Sequence, residues 1–272
     1  MPELPEVETI KRGLQKKVKG LSVKDVRVKD GRVIRQNSEA VFIKGVKGQK
    51  IANVHRYGKA IVFFLEPSRK KLVVQLMMTG QLIYAKERSD IKETKIIFVL
   101  SNGGYLHYND QRLFGRLQLV SDLKEIKYFR ILGVEPLGGS FKASWLKEKI
   151  KHRQVPVKSL LMNHTVVAGI GNIYASEILF AAGIRPRRRA ASLKEKEVAK
   201  LRASTVRVLK KAVACRGTSM RDYCDSDGKK GEFRKYLKVY SREGDDCFSC
   251  GSQVKKVVIS GRSSFYCPAC QH

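Results

Sequence analysis

Acidic residues are scarce in this sequence. Among 272 residues, 25 are Asp or Glu and 55 are Lys or Arg, so the formal net charge is +30 at pH 7. Hydrophobic residues make up 43% of the chain, enough to bury a core, which excludes a disordered basic tail as the source of the charge. Solubility alone needs a net charge of only about 2 to 8 for a small domain. The composition therefore favours a polyanionic partner.

Signals for export and membrane insertion are also lacking. The first residues, MPELPEVETI, carry three glutamates, whereas a secretory signal needs a basic start and an apolar run. The longest uncharged stretch, residues 72–85, contains Gln75, Thr79 and Gln81 and is too short for a membrane span of about 20 residues. We expect a soluble, cytoplasmic protein with no membrane partner.

Cysteine is absent from the first 214 residues, which excludes a disulfide-rich scaffold. Four of the six cysteines form a C-x2-C-x16-C-x2-C pattern at the C-terminus: Cys247, Cys250, Cys267 and Cys270. This spacing predicts one tetrahedral Zn²⁺, and four thiolates leave no open position for a catalytic water, so the zinc should be structural. A redox site is the weaker alternative. Cys215 and Cys224 are predicted to be free thiols.

The first half of the sequence has the pattern of β-strands. Two β-rich runs, KIIFVL and YLHYND, flank Ser101-Asn102-Gly103-Gly104, and Asn-Gly favours a tight hairpin turn within residues 95–110. Several such runs indicate a β-sandwich or barrel. One helix is predicted over residues 6–17, where Val7, Ile10 and Leu14 have helical spacing.

After a glycine-rich stretch at residues 132–140, interpreted as a linker, the apolar spacing becomes helical. Residues 157–183 have this spacing but are interrupted at 168–172, which predicts a turn between two helices. Ser192 and Glu195 have the pattern of a capping box and predict a helix that ends before Gly217.

The amino terminus is a candidate nucleophile. Pro2 is small enough to permit removal of Met1, and a terminal proline is a secondary amine. Because an α-amino group has a pKa near 7.7 to 8.0, it is partly neutral at pH 7. Its attack on a sugar C1′ or an aldehyde would give an iminium, and Glu3 and Glu6 stand close enough in sequence to move protons.

The motifs MPELPEVET, GIGNIYASE at residues 169–177 and the terminal SGRSSFYCPACQ resemble bacterial formamidopyrimidine-DNA glycosylases over the whole chain. The resemblance implies an α+β protein in three domains. These are an N-terminal β-sandwich with flanking helices at residues 1–135, a helix-two-turn-helix domain with a base-covering loop at 136–240, and a β-hairpin zinc finger at 241–272. Damaged double-stranded DNA would bind in the cleft between them.

That family excises oxidised purines, such as 8-oxoguanine and formamidopyrimidines, in base excision repair. It then cleaves the strand by β,δ-elimination as an abasic-site lyase. Matched residue by residue, Pro2 resembles the nucleophile, Glu3 the acid that protonates the sugar ring oxygen, and Glu6 their support. Lys59 matches a lysine that contacts phosphate and assists β-elimination, and Arg262 matches the arginine credited with δ-elimination. A solvated strand lysine is the alternative for Lys59.

A glycosylase must rotate its target nucleotide out of the duplex and fill the gap that it leaves. Met78, Arg112 and Phe114 match the three family residues that do this, although Met78 and Phe114 could instead be ordinary core residues. Asn172 and Arg153 match phosphate and DNA contacts. The loop at residues 218–233 matches the one that covers the everted purine.

Three positions depart from the family pattern. Gln75 replaces a usual histidine, Glu93 replaces a histidine that contacts DNA, and Leu113 replaces a second arginine beside Arg112. The DNA contact at Glu93 is therefore in doubt, because a carboxylate repels phosphate. None of the three removes the predicted nucleophile or the zinc ligands.

Two other functions fit parts of the sequence. An endonuclease VIII-like glycosylase for oxidised pyrimidines would share the chemistry, but its N-terminus reads PEGPE where this chain has Leu4. A non-catalytic zinc-finger binder of damaged DNA would explain the charge and the cysteines but not Pro2, Glu3 and Lys59. We expect a monomer in the bacterial cytoplasm, associated with the nucleoid.

Overall fold

The computed structural model describes residues 1–87 and 91–272, which fall into two compact units. The first unit consists of Met1–Arg130 and Cys215–Glu232, and the second of Ile131–Ala214 and Phe233–His272. The segment 215–232 therefore packs with the amino-terminal part of the chain. The predicted domain boundaries after residues 135 and 240 remain predictions.

The first unit is built on two four-stranded antiparallel sheets. One sheet has the strand order β1-β6-β7-β5 and the other β2-β3-β4-β8. The strands are β1 (Val23–Val28), β2 (Lys50–Tyr57), β3 (Ala60–Glu66), β4 (Lys71–Gln75), β5 (Gln81–Ala85), β6 (Thr94–Leu100), β7 (Tyr105–Asn109) and β8 (Arg116–Val120). Its helices are α1 (Leu4–Val18), α2 (Glu39–Val46) and α3 (Lys127–Arg130), with one-turn 3₁₀ helices at Gly31–Val33 and Leu123–Glu125.

A single apolar cluster lies between the sheets and extends under α1, which contributes Val7, Ile10 and Leu14. Strand β6 alternates strictly between buried and partly buried residues, as expected when one face lines a core. Strand β3 is almost wholly buried because its two faces are both covered: Ile61 and Phe63 face the main cluster, and Val62 lies in a second cluster with Ile126. The turn that precedes β3 is thereby fixed to a rigid strand.

The predicted local structures of this unit are present. Helix α1 covers the predicted residues 6–17, and β6 and β7 form the predicted antiparallel hairpin. The turn differs in detail: Gly103 takes φ of 82°, whereas the Asn102 side chain accepts a hydrogen bond from the N–H of Gly104 at 3.0 Å. The asparagine stabilises this turn through its side chain.

The second unit contains four helices and a terminal hairpin in the described residues. They are α4 (Ala143–Ile150), α5 (Val157–Met162), α6 (Asn172–Ala182), α7 (Glu195–Ala214), β9 (Lys255–Ile259) and β10 (Arg262–Tyr266), with 3₁₀ turns at Ala190–Ser192 and Phe233–Tyr236. The predicted turn between two helices lies between α5 and α6. Helix α6 ends at Gly183, whose φ of 74° is the left-handed conformation that glycine favours at a helix end.

Two local predictions in this unit were wrong. Ser192 does not cap α7, because it lies in a preceding 3₁₀ turn; the carboxylate of Glu197 instead accepts the N–H of Lys194 at 2.8 Å. The stretch 132–140 is anchored rather than a free linker. Val134 pairs with Val167, and a Cβ on Gly133 would lie 2.2 Å from the carbonyl oxygen of Val166.

The α+β fold class is confirmed: a β-sandwich with helices, a helical region and a C-terminal hairpin with four cysteines. Across residues 1–87 and 91–272, none of the helices combines the length and the apolar character needed to cross a membrane.

Candidate active site and zinc centre

The start of α1 gathers the predicted acids around the amino terminus. Pro2 is buried, and Glu3 and Glu6 are 3% and 2% exposed. The N–H of Glu3 donates to Glu6 Oε2 at 2.8 Å, and the N–H of Thr218 donates to Glu6 Oε1 at 2.7 Å. Glu6 therefore joins the first turn of α1 to the segment 215–232.

Gly217 makes this contact with Glu6 possible. Its φ is 78°, and a Cβ at this position would lie 2.6 Å from Glu6 Oε1. Any other residue would combine strained backbone geometry with a clash against the buried carboxylate. Tyr223 closes the same segment by donating its hydroxyl proton to the carbonyl of Arg216 at 2.9 Å.

The surroundings of the chain terminus shift the pKa of the Met1 amino group, which precedes Pro2. Burial lowers the pKa of the Met1 amino group below its ordinary value, and the Lys59 charge lowers it further, while Glu3 and Glu6 oppose this shift. The predicted Lys59 is thus brought near the predicted acids. Met1 precedes Pro2 in this chain, so the Pro2 nitrogen becomes an amine only when Met1 is removed.

The three predicted extrusion residues lie on two neighbouring loops of the first unit. Met78 and Phe114 are 42% and 49% exposed, so the alternative that they are core residues is wrong. The Arg112 guanidinium lies 4.6 Å from the centroid of the Phe114 ring, within cation–π distance. Two apolar side chains and a cation are therefore presented to solvent together.

Asp110 ties these two loops together and was missed by sequence reasoning. Its carboxylate is fully buried and accepts hydrogen bonds from the Thr79 hydroxyl at 2.5 Å and from the Gly115 N–H at 2.7 Å. The Thr79 oxygen also accepts the N–H of Arg112 at 3.1 Å. Thr79 follows Met78 directly, so one carboxylate fixes the backbone on both sides of the extrusion residues.

The departures from the family pattern have local explanations. Glu93 is paired with Lys95, with 3.1 Å between its Oε2 and the Nζ, which offsets the negative charge that made a DNA contact doubtful there. Leu113 has φ of 56° and packs against the apolar core rather than projecting beside Arg112. Gln75 ends β4 and pairs with Ala60, the first residue of β3.

In the second unit, a buried lysine links two predicted DNA-binding elements. Lys158 is 1% exposed, and its Nζ donates to Asn172 Oδ1 at 2.6 Å, to Ser264 Oγ at 2.7 Å and to the carbonyl of Ser263 at 3.0 Å. Asn172 begins α6, and Arg262 begins β10 next to these serines. The only sequence signal for Lys158 was a lysine within an otherwise apolar stretch.

The remaining predicted DNA contacts of this unit are exposed. Arg153 lies just after α4, where its N–H donates to the carbonyl of Ile150 at 2.9 Å. Arg262 lines a surface depression of about 160 Å³ with Ser159, Ser260 and Lys158. Met162, Asn163 and Ile259 also line it, so the walls beside Arg262 are partly apolar.

The four predicted zinc ligands converge. Their sulfur atoms all lie within 4.8 Å of one another, with 3.9 Å between Cys247 and Cys270 and 3.5 Å between Cys250 and Cys267. A tetrahedron with Zn–S bonds of about 2.3 Å has sulfurs roughly 3.8 Å apart, so the donor set fits one structural Zn²⁺. The N–H of Cys270 also points at the Cys267 sulfur at 3.4 Å.

The contact between residues 177 and 238–240 supports the segment before this cysteine cluster. Glu177 is 3% exposed and accepts three backbone N–H groups, from Lys238, Val239 and Tyr240, at 2.9, 3.0 and 2.8 Å. Burial raises the pKa of this carboxyl, and the three N–H groups oppose the shift.

Family models match three parts of the chain. The N-terminal domain of formamidopyrimidine-DNA glycosylase matches residues 1–117, its H2TH domain matches 132–224, and the zinc finger found in FPG and IleRS matches 244–272.

Whole-length relatives agree with these matches. The formamidopyrimidine-DNA glycosylase of Pelotomaculum thermopropionicum is 42% identical over 274 residues, covering 100% of this chain and 99% of the relative. Among solved structures, the MutM (Fpg) protein from Thermus thermophilus has a TM-score of 0.88 and 37% identity, covering 99% of this chain and 98% of that one. A Lactococcus lactis FPG mutant bound to DNA containing Fapy-dG has a TM-score of 0.92 and 31% identity, with both chains fully covered. This chain belongs to the formamidopyrimidine-DNA glycosylase family.

Proposed function

We propose that this protein is a DNA glycosylase of base excision repair that removes formamidopyrimidines and 8-oxoguanine and then cleaves the strand at the resulting abasic site. The observation that carries the proposal is the start of α1, where Pro2 is buried together with the carboxylates of Glu3 and Glu6. Family membership supports the same activity. A non-catalytic binder would have no use for two buried acids beside the amino terminus.

The reaction begins at Pro2 after Met1 is removed. The lone pair of the Pro2 nitrogen forms a bond to C1′ as the C1′–N9 bond breaks. The base leaves with its electron pair and takes up the proton that the Pro2 nitrogen loses. Glu3 then protonates the ring oxygen O4′ as the C1′–O4′ bond opens, which leaves an iminium between Pro2 and C1′. Glu6, whose two oxygens are occupied by backbone N–H groups, orients this turn.

Strand cleavage follows from the iminium. Loss of a proton from C2′ expels the 3′-phosphate in β-elimination, and loss of a further proton expels the 5′-phosphate in δ-elimination. Lys59 is proposed to assist the first elimination and Arg262 the second. Hydrolysis of the remaining iminium by water regenerates the Pro2 amine.

Before this chemistry, the damaged nucleotide must leave the stack at a cost of a few kcal/mol. Met78 and Phe114 are proposed to enter the gap while Arg112 reaches the base that remains, since these groups are exposed on one pair of loops. Asn172 and Arg153 are proposed to hold the backbone with Arg262. Lys158 occupies Asn172 Oδ1, so the Asn172 amide N–H groups remain to meet a phosphate.

The zinc finger is proposed to hold one Zn²⁺ through Cys247, Cys250, Cys267 and Cys270. When bound, the metal cross-links the two ends of the finger and takes no part in the reaction. The protein is further proposed to act as a monomer on double-stranded DNA, associated with the bacterial nucleoid in the cytoplasm.

Borohydride trapping tests the covalent step. Hydride adds to the iminium carbon and leaves a stable amine, so protein with a verified Pro2 terminus should become cross-linked to an 8-oxoguanine duplex. The matched control is the same protein with Met1 retained and its amino group acetylated, which has no terminal amine and should not cross-link. Absence of a cross-link from the Pro2 form would leave the non-catalytic binder as the better description.

Substrate preference is a separate question, because one Lactococcus lactis FPG complex contains an oxidised pyrimidine in its DNA. Excision from duplexes carrying 8-oxoguanine opposite cytosine should be faster than excision of thymine glycol. The reverse order would assign this chain to the endonuclease VIII-like activity.

A further inference from the structure

The turn that carries Lys59 has two residues, Gly58 and Lys59, because the β2–β3 ladder closes with the pair Tyr57 and Ala60. Gly58 takes φ of 56°. Glycine at the first position of a two-residue hairpin turn is typical of type II′. The peptide bond between Gly58 and Lys59 is then the central one of the turn, and its plane sets the direction in which the Lys59 side chain leaves the backbone.

Both polar ends of this one peptide bond are held by side chains. The carbonyl oxygen of Gly58 accepts a hydrogen bond from Arg56 Nη1 at 2.9 Å. The N–H of Lys59 donates to the hydroxyl oxygen of Tyr128 at 2.9 Å. In a hairpin turn both groups commonly face water and the peptide can rotate. Here rotation would break two hydrogen bonds.

We call these two hydrogen bonds to the Gly58–Lys59 peptide the clamp. Its Arg56 end is rigid. The Arg56 side chain is 7% exposed, and its Nε lies 2.8 Å from Glu8 Oε2. Glu8 belongs to α1, whose first turn carries Glu3 and Glu6. The clamp thus ties the Lys59 turn to the helix that presents the proposed nucleophile.

The Tyr128 end is equally fixed. Its ring packs edge-on against Phe129 at 5.3 Å between centroids, and Phe129 packs against Tyr57 at 5.9 Å. The Tyr128 hydroxyl also donates to the carbonyl of Tyr57 at 3.4 Å. One hydroxyl therefore accepts from one side of the turn and donates to the other.

We infer that Tyr128 is a positioning residue for Lys59: its hydroxyl fixes the Gly58–Lys59 peptide and so aims the lysine at the abasic sugar. Tyr128 acts through the backbone of the turn and touches no substrate. The inference rests on the proposed function, because it assumes that Lys59 assists β-elimination.

The test is Tyr128→Phe, which removes the hydroxyl and keeps the ring in its apolar cluster. Strand nicking of a duplex with a preformed abasic site is measured under single-turnover conditions. The rate should fall about three- to tenfold, the effect of one neutral hydrogen bond. The matched control is Tyr84→Phe, which removes a hydroxyl bonded to the Asn102 side chain of another turn, and its nicking rate should stay at the wild-type value.

A second arm separates positioning from a general loss of stability. In a Lys59→Ala background, Tyr128→Phe should slow nicking no further, whereas a merely structural role would reduce the rate in both backgrounds. An unchanged rate for Tyr128→Phe, or equal losses in both backgrounds, overturns the inference. Failure of the wild type to nick or to be trapped would instead refute the proposed function, so the two failures are distinguishable.

Discussion

The α1 terminus in the first unit and the finger hairpin in the second both present proposed functional groups, but they are stabilised differently. Helix α1 lies on the large apolar cluster of the β-sandwich, and Glu6 is fixed by backbone N–H groups. The finger has a small cluster in the described chain, formed by Val239, Val254, Cys247 and Cys267 with a few partly buried neighbours. Its order depends on the cysteine site and on the buried polar groups Lys158 and Glu177.

This difference indicates that chemistry and backbone binding can be perturbed separately. A group on the sandwich can be neutralised without unfolding its support, because the apolar core carries the stability of that unit. The finger, in contrast, should unfold when its metal is removed, since a hairpin of this size buries too little apolar surface to fold alone.

Loss of zinc should have the largest effect. Structural zinc contributes about 10 to 16 kcal/mol to small finger peptides, so Cys250→Ser or chelation should unfold the hairpin and abolish tight DNA binding. The β-sandwich should keep its thermal transition. Metal content, circular dichroism and DNA affinity are the measurements, with Cys215→Ser as the control. Unchanged DNA affinity in the metal-free protein would contradict the separation between chemistry at the α1 terminus and backbone binding by the finger.

Glu3→Gln should have the next largest effect and should act only on chemistry. Removal of a positioned general acid costs about 10²- to 10⁴-fold in rate, so base excision and borohydride trapping should fall by that order. The affinity for an abasic-site analogue should stay at the wild-type value, because the finger is intact. Glu39→Gln, at an exposed position on α2, serves as control. A parallel loss of affinity would show that Glu3 also contributes to DNA binding.

Asp110→Ala should disturb the extrusion loops. Each buried donor left without an acceptor costs about 1–3 kcal/mol. The buried Gly115 N–H would lose its acceptor, and so would the half-buried Thr79 hydroxyl, at a smaller cost because water can reach it. Urea unfolding should show this loss, and 2-aminopurine fluorescence should show weaker nucleotide eversion. Asp25→Ala, which removes surface ion pairs to Arg27 and Lys47, should stay within about 1 kcal/mol of the wild type. Normal nucleotide eversion in Asp110→Ala would show that this carboxylate is not needed for extrusion.

Glu8→Gln should give the smallest effect, and one that depends on pH. Burial raises the pKa of Glu8, but the hydrogen bonds from Arg56 and Arg12 outweigh it and hold the pKa below its ordinary value. The stability this confers is therefore present above the ordinary carboxyl pKa and is lost as the pH falls through the folded-state pKa. The variant should be about 1 kcal/mol less stable at pH 7 and equal to the wild type in acid. Urea melts across pH measure this, with Glu66→Gln as control; a pH-independent difference would refute the charge-based origin.

Much of the fold was predictable because its signals are local. The alternation in β6, the helical spacing in α1 and the cysteine spacing each depend on neighbours in sequence. The predicted start of α7 was wrong because two acids compete there. Glu195 suggested a capping box with Ser192, whereas Glu197 accepts the N–H of Lys194 at the start of the helix. Sequence spacing alone cannot decide between overlapping caps.

The candidate site was predictable where it resembled a family motif and unpredictable where it depends on contacts distant in sequence. Asp110 reaches back to Thr79, Lys158 reaches forward to Ser264, and Tyr128 meets Lys59 across 69 residues. Hydrophobicity alone would place Met78 and Phe114 in a core, whereas the family resemblance assigned them to extrusion, and the fold leaves both side chains exposed. The individual roles of all these residues remain predictions.

The assignment of residues 215–232 to the first unit has a consequence for dissecting the protein. The chain passes from one unit to the other three times, after Arg130, Ala214 and Glu232. A fragment ending near residue 135 would lack the N–H of Thr218 that caps Glu6. No contiguous fragment confined to the first unit can contain both of its segments, so a minimal version of that unit requires the 215–232 segment to be supplied by a short engineered connection or as a second peptide.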